Sequence, residues 1–270
     1  MRKFELNGWD DMSSVFENLR KLYFRFGSRF FRYPTAIFIQ QDLERFLVRI
    51  KRRKCHDLDP PCPRLNVGCG MRKYAGWLNI DLKNSDYNVD VAAGRLPWAG
   101  GSFHVIISLH FIEHLDLLDE CLPLLFELHR LLCPGGELWL ACPDMEKVCR
   151  AYLTGKLNQL LEDRRRRWPA YDVGLPSRRR PLESIPSRQK ELVHHLPLAY
   201  MVNDYFHQYG EHRNLYDEEI LTWALATAGF MDVQRVDERA LRSRFPEIWP
   251  KGDDCESIYI RAVKPLHDAH

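Results

Sequence analysis

The stretch Arg64-Leu-Asn-Val-Gly-Cys-Gly70 constrains the fold more than any other part of this chain. Leu65 to Val67 read as a short buried strand. Gly68 and Gly70 then form a turn that residues with side chains adopt poorly. A glycine turn at the carboxyl end of a parallel strand lets the backbone approach a ligand, and open α/β sheets bind ligands there. The strands that follow strengthen that reading. Trp77-Leu-Asn-Ile-Asp81 is a strand ending in an acid. Ser102 to His110 is a further apolar strand, followed by Glu113-His114-Leu115. Leu131-Leu-Cys-Pro-Gly-Gly-Glu-Leu-Trp-Leu140 reads as a helix end, a turn and another strand.

At 270 residues the chain has room for one α/β domain with additions, or for two small domains. A formal net charge of +2 gives no global field for nucleic acid, so DNA is not an expected partner. The eight cysteines are scattered, several within apolar strands or helices, as free thiols in a reducing compartment would be. Cys55, His56 and Cys62 could supply three metal ligands, but a fourth at zinc spacing is missing, and no metal is expected. The N-terminus has no long apolar run, and Tyr33–Ile39 is too short to cross a bilayer, so a soluble cytoplasmic protein is expected.

Residues 1–60 read as a helical extension, with amphipathic helices over Met12–Phe26 and Ile37–Ile50 and a basic end at Lys51–Lys54. Such helices pack on the core or on a second subunit of a homodimer, or touch a membrane surface. The Pro-rich segment Asp57–Pro63 leads into the main domain, residues 61–270. Asp116–Leu132 has the spacing of an amphipathic helix, Glu137–Cys142 that of a strand, and Met145–Leu160 that of one more helix. Residues 155–200 form an insert carrying Arg164–Arg167 and Arg178–Arg180. These runs read first as solvated charge, second as an anion clamp on an acceptor, third as an RNA contact. Asp217 caps a helix over Glu218–Ala228 that Gly229 ends, and Met231–Val236 and Ser257–Val263 are the last strands.

The series of motifs resembles the class I S-adenosylmethionine-dependent methyltransferases. It is most similar to bacterial predicted methyltransferases associated with surface-polysaccharide genes, over residues 62–154 and more loosely 201–264. The resemblance implies a Rossmann-like, doubly wound, mostly parallel seven-stranded sheet, with the insert as a lid over the acceptor. It implies S-adenosylmethionine as cofactor, held by Gly68, Cys69, Gly70, Asp81, Asp90, Val91 and His110. Asp81 ends its strand directly and is the expected ribose acid. Asp90 lies in the expected strand Asn88–Ala92 near adenine, or is a turn carboxylate. Leu96-Pro-Trp-Ala-Gly-Gly-Ser-Phe-His-Val-Ile106 departs from the pattern, with Trp98 for Phe and His104 for Asp.

The sulfonium makes the methyl group reactive, so the protein must chiefly align the acceptor and exclude water. The implied reaction is O-methylation of a saccharide or other small glycoconjugate, anionic groups included, with a histidine as base. The candidates are His212, His110 and His207 in that order, with His114 as a packing residue. Tyr209, Tyr216, Arg178 and Arg179 are candidates for the acceptor pocket. Three alternatives remain: an inactive methyltransferase-like scaffold, an RNA methyltransferase, and a nicotinamide dehydrogenase. The last would want a third glycine where Lys73 stands.

Overall fold

The computed structural model describes residues 33–52, 59–168 and 197–266. The chain divides into two compact units, Met1–Phe46 and Leu47–His270. The helix expected over Met12–Phe26 lies outside the described residues, as do Cys55 and His56. Helix α1 spans Tyr33–Arg52, longer than expected at both ends. Pro34 sits in its first turn, where a missing N–H costs nothing.

Seven strands form one sheet: β1 Arg64–Val67, β2 Leu78–Asp81, β3 Tyr87–Asn88, β4 Phe103–Leu109, β5 Leu132–Pro143, β6 Met231–Val236 and β7 Ser257–Val263. Their spatial order is β3-β2-β1-β4-β5-β7-β6. The pairs β3–β2, β2–β1, β1–β4 and β4–β5 are parallel, while β7 runs antiparallel to both β5 and β6. The expected doubly wound, mostly parallel sheet is therefore the observed one. Order reverses beside β1, between β1 and β4, so the crevice at their carboxyl ends is the topological switch point.

The central strands are buried on both faces, which is why they read as continuous apolar runs. Ile106 of β4 joins one core cluster and Val105 and Ile107 join the other, the alternation a strand imposes. The larger cluster packs Leu65, Ile80 and Leu140 against α2 (Leu122–Leu131) and α6 (Glu218–Thr227). The smaller packs Trp77, Trp139 and Tyr259 against Leu241 and Phe245, where α7 (Glu238–Arg244) ends. A third cluster joins α3 (Met145–Leu153), α4 (Leu157–Arg167) and α5 (Tyr200–His207) through Val148, Leu160, Met201 and Tyr205.

Several expected boundaries move, each for a local reason. The helix expected over Asp116–Leu132 opens with a π-turn at Leu117–Cys121, and the α-helix proper begins at Leu122 because Pro123 fits only a first turn. Asp116 caps the opening, accepting from Leu118 N at 3.0 Å and Asp119 N at 3.0 Å. The helix expected over Met145–Leu160 is two, divided at Gly155, whose φ of +70° ends the first. The strand at Glu137 starts earlier, at Leu132, with the Pro134-Gly135-Gly136 segment looped out as the ladder passes from Phe103↔Leu132 to Val105↔Glu137. Asp90 is not in a strand: β3 stops at Asn88, and Asp90 Oδ1 accepts from Ala92 N at 3.1 Å, so it is a turn carboxylate.

Candidate active site

The glycine turn is fixed to the neighbouring strand. Gly68 N and Cys69 N both donate to Ile80 O, at 2.9 and 3.1 Å. Gly68 and Gly70 have φ of +66° and +52°, in the left-handed region that favours glycine. A Cβ on Gly68 would stand 2.1 Å from Cγ of Phe111, so this ring seats directly on the turn. A Cβ on Gly70 would meet nothing within 4 Å, so the turn opens there onto free space. Gly70 N donates to Asp81 Oδ2 at 2.7 Å, and Leu82 N to Asp81 Oδ1 at 2.6 Å. Each oxygen keeps a second acceptor direction for a ligand hydroxyl. Backbone room beside Gly70 and a fixed carboxylate 11 positions on fit the ribose and methionine portions of S-adenosylmethionine. Cys69 is buried, and burial, then the Asp81 charge, pushes its thiol up to about 12, so it contributes backbone and packing, not a thiolate.

Around the edge of β2 and β3, Val91 is a core residue and Asp90 is 3% exposed. Arg49 reaches Asp90 Oδ2 with Nε at 2.8 Å and Nη2 at 2.7 Å. Trp98 is buried against Tyr87 and Phe103, with centroids at 5.2 and 5.7 Å. The Phe-to-Trp departure is thus absorbed by packing.

A second group of side chains gathers where β4 ends. His110 has a φ of +57° although it is not glycine, and its N–H donates to Ala141 O at 2.7 Å. A non-glycine residue held in that region marks a place where the surrounding structure over-determines the backbone. Its Nε2 lies 2.9 Å from Asp253 Oδ2, an ion-pair distance without hydrogen-bond alignment, and its Nδ1 lies 3.5 Å from Glu113 Oε1. Asp253 is fully buried and also holds Lys251 Nζ at 2.8 Å, Ser257 Oγ at 2.8 Å and Tyr259 OH at 2.5 Å. Burial works to raise the Asp253 pKa; the His110 ring and the Lys251 ammonium overcome it and hold the carboxylate well below its usual range.

Glu113 is 2% exposed. Burial would push its carboxyl up, but contact with His110 and the nearby His114 and His212 rings bring it down to about 2. His114 Nδ1 lies 3.1 Å from Glu211 O, and His212 Nδ1 lies 2.7 Å from Tyr205 O. The two rings are 5.1 Å apart between centroids. Burial pushes His212 down to about 4, so its ring is neutral near pH 7. Backbone bonds bring this distant segment in: Arg213 N donates to Glu113 O at 2.8 Å.

The candidates therefore separate. His212 and His110 meet in one corner, joined by His114 and by Glu113, which sequence reasoning left unassigned. His207 is exposed at the end of α5. Tyr216 is a core residue, fully buried with its hydroxyl 3.3 Å from Ile112 O, and does not line an open pocket. The Tyr209 side chain, Arg178 and Arg179 lie outside the described residues. Half of the first arginine run is internal: Arg164 Nε and Arg167 Nη1 reach Glu256 at 2.8 and 3.0 Å, and Arg167 Nη2 reaches Asp163 at 2.8 Å. The Arg164 guanidinium lies 3.5 Å from the centre of the Tyr205 ring. Only Arg165 and Arg166 face solvent. Asp253 and Lys251 were not anticipated either; the sole local hint is a polar Lys-Gly-Asp just before an apolar last strand.

Residues 80–140 match the family model described as a methyltransferase domain. No curated protein matches the chain. Among solved structures, an S-adenosylmethionine-dependent methyltransferase from Thermotoga maritima is 18% identical, with 86% of this chain and 97% of that one covered and a TM-score of 0.37. One from Archaeoglobus fulgidus is 14% identical, over 82% and 94%, with a TM-score of 0.36. Phosphoethanolamine N-methyltransferase 2 from Haemonchus contortus, solved with S-adenosylhomocysteine, is 14% identical, over 83% of this chain but 52% of that one, at 0.37. These scores are low, and the architecture stands on the strand order itself. The glycine turn, its acid and the methyltransferase-domain match over residues 80–140 support an enzyme whose cofactor is S-adenosylmethionine.

Proposed function

We propose that the protein transfers the methyl group of S-adenosylmethionine to a hydroxyl of a saccharide or other small glycoconjugate. The observation that carries this reading is the contact of Phe111 with Gly68, which sets the imidazole and carboxylate corner at the end of β4 beside the glycine turn. The cofactor supplies a methyl group already activated by its sulfonium. Gly70 gives the backbone clearance for its methionine portion, Gly68 supplies the tight turn against Phe111, and Asp81 accepts from the ribose hydroxyls. Asp90 and Val91 border the adenine side. A hydroxyl acceptor must lose a proton as its oxygen attacks. We assign that role to His212, because Nδ1–H donated to Tyr205 O leaves the lone pair on Nε2. His110, gripped between Asp253 and Glu113, is a positioning residue for the corner. The soluble, cytoplasmic setting and an anionic acceptor contacting Arg178 and Arg179 belong to the same reading; no described helix is long and apolar enough to cross a membrane.

The test is methyl transfer from methyl-labelled S-adenosylmethionine to a panel of mono- and oligosaccharides, phosphorylated sugars and bulk RNA. Label on a sugar oxygen, lost in His212→Asn, is the expected result. Label on RNA or on an amine, with none on any sugar, would overturn the acceptor assignment.

A further inference from the structure

Glu113, His114 and His212 come from two segments about 100 positions apart, yet one ligand atom from each lies within 4.8 Å of the other two. Among the described residues this is the group so arranged. Three features make it more than a chance meeting of polar groups. First, Glu113 Oε2 is buried and has no hydrogen-bond partner, a costly state for a carboxylate oxygen. Second, both imidazoles face a backbone carbonyl with Nδ1, Glu211 O at 3.1 Å and Tyr205 O at 2.7 Å. Histidines that bind metals characteristically donate their other ring N–H to such a group, which fixes the tautomer and presents Nε2 to the ion. Third, the Glu113 carbonyl accepts from Arg213 N at 2.8 Å and Asn214 N at 3.3 Å, locking the two segments in register around the cluster.

We propose that Glu113, His114 and His212 form a binding site for a divalent first-row transition ion of the zinc class. Two imidazoles and one carboxylate are a borderline donor set, unsuited to calcium or magnesium, which take oxygen ligands. Metal–ligand distances of about 2.0–2.1 Å in tetrahedral geometry put ligand atoms about 3.3 Å apart. The three groups would close by about 1.5 Å or less, within the reach of side-chain rotation. Glu113 is buried while His114 and His212 are half-buried, so the ion enters from the histidine side and keeps a coordination position open there. That position faces the region assigned above to the acceptor hydroxyl, and this part of the inference rests on that assignment. An ion at the site takes the His212 Nε2 that otherwise receives the acceptor proton. A hydroxyl bound in the open position would then lose its proton more readily, to solvent on the half-exposed histidine side, as metal-bound water does.

The test uses the full chain stripped of metal and titrated with Co²⁺, followed by displacement with Zn²⁺. Visible d–d absorption saturating at about one equivalent per chain, without intense sulfur-to-cobalt bands and abolished by Zn²⁺, is expected. His212→Asn keeps a side chain able to reach Tyr205 O, and His114→Ala and Glu113→Gln remove the other ligands. Each, shown folded by circular dichroism, should weaken binding by about 100-fold or more. A folded wild type that binds no Co²⁺ or Zn²⁺, or binding unchanged in all three variants, overturns the site. Calorimetry with S-adenosylmethionine on the metal-free wild type separates this from the methyltransferase reading: cofactor binding without metal binding sinks only the metal site.

Discussion

Replacing Gly68 by alanine separates two costs that the structure places on neighbouring glycines. At Gly68 the new methyl must accept a φ of +66° and also displace Phe111, whose side-chain atoms would lie 2.1–2.6 Å away. The left-handed conformation costs an alanine about 1–2 kcal/mol. Forcing an extra carbon into a packed contact costs about 1–3 kcal/mol more. At Gly70 the φ is +52° but nothing lies within 4 Å, so only the conformational term applies. Gly68→Ala should therefore destabilise by about 2–5 kcal/mol, and Gly70→Ala by about 1–2 kcal/mol. The difference, about 1–3 kcal/mol, belongs to Phe111. Urea unfolding of both variants reads it, as a lower midpoint for Gly68→Ala at equal slope. Adding Phe111→Ala to Gly68→Ala should recover part of the loss relative to the sum of the single changes. Equal destabilisation at the two glycines, or strict additivity with Phe111→Ala, would refute the packing argument.

Three further outcomes follow from the same geometry. Glu256 is buried; burial would raise its pKa, but Arg164 and Arg167 hold it below the usual carboxylate range. Its contribution is present above the unfolded value of about 4.3 and lost as pH falls through the folded value, so thermal melts should decline below about pH 4.3. Glu256→Gln should lower stability at pH 7 by about 3 kcal/mol and flatten that acid limb; an unchanged limb would sink the assignment. Asp144 is fully buried, caps α3 through Lys147 N at 3.2 Å and pairs with Arg235 Nη2 at 2.6 Å. Asp144→Ala should cost about 2–3 kcal/mol by chemical denaturation, from the lost cap and the lost charge-assisted bond to Arg235, which keeps Glu218 at 3.1 Å; a loss below about 1 kcal/mol would contradict this. Asp253→Asn should lower methyl-transfer kcat about 100-fold while the S-adenosylmethionine Kd stays within about twofold, because it frees the His110 ring without touching Asp81. A raised Kd at constant kcat would instead place Asp253 in the cofactor site.

What could be read from the sequence was local. The runs Leu65–Val67, Trp77–Ile80 and Val105–Leu109 are apolar because parallel central strands are buried on both faces, and that pattern needs no partner to be seen. The glycine turn and the acid ending β2 were equally visible, and the structure joins them by the Gly70 to Asp81 bond. Helix phasing failed where a single residue overrides periodicity, as Gly155 does between α3 and α4 and Pro123 does at the start of α2. The corner at β4 was half visible. His110 and His212 were candidates by residue type, but the role of Glu113 depends on a segment 99 positions away that no spacing rule links to it. The arginine run is the clearest case of ambiguity. Arg164 and Arg167 sit one helical turn apart and share Glu256, 92 and 89 positions distant, while Arg165 and Arg166 face solvent. Charge runs announce cations but not which of them a fold neutralises.

The central claim is a cofactor site built from the Gly68–Gly70 turn and the Asp81 carboxylate. Isothermal calorimetry of the full chain with S-adenosylmethionine, on wild type and Asp81→Ala, tests it most directly. Losing two charge-assisted bonds to ribose hydroxyls at about 1.5 kcal/mol each predicts an affinity about 100-fold weaker in the variant, with S-adenosylhomocysteine competing in the wild type. A folded wild type that releases no binding heat at any temperature, or a variant that binds as tightly as wild type, would contradict it.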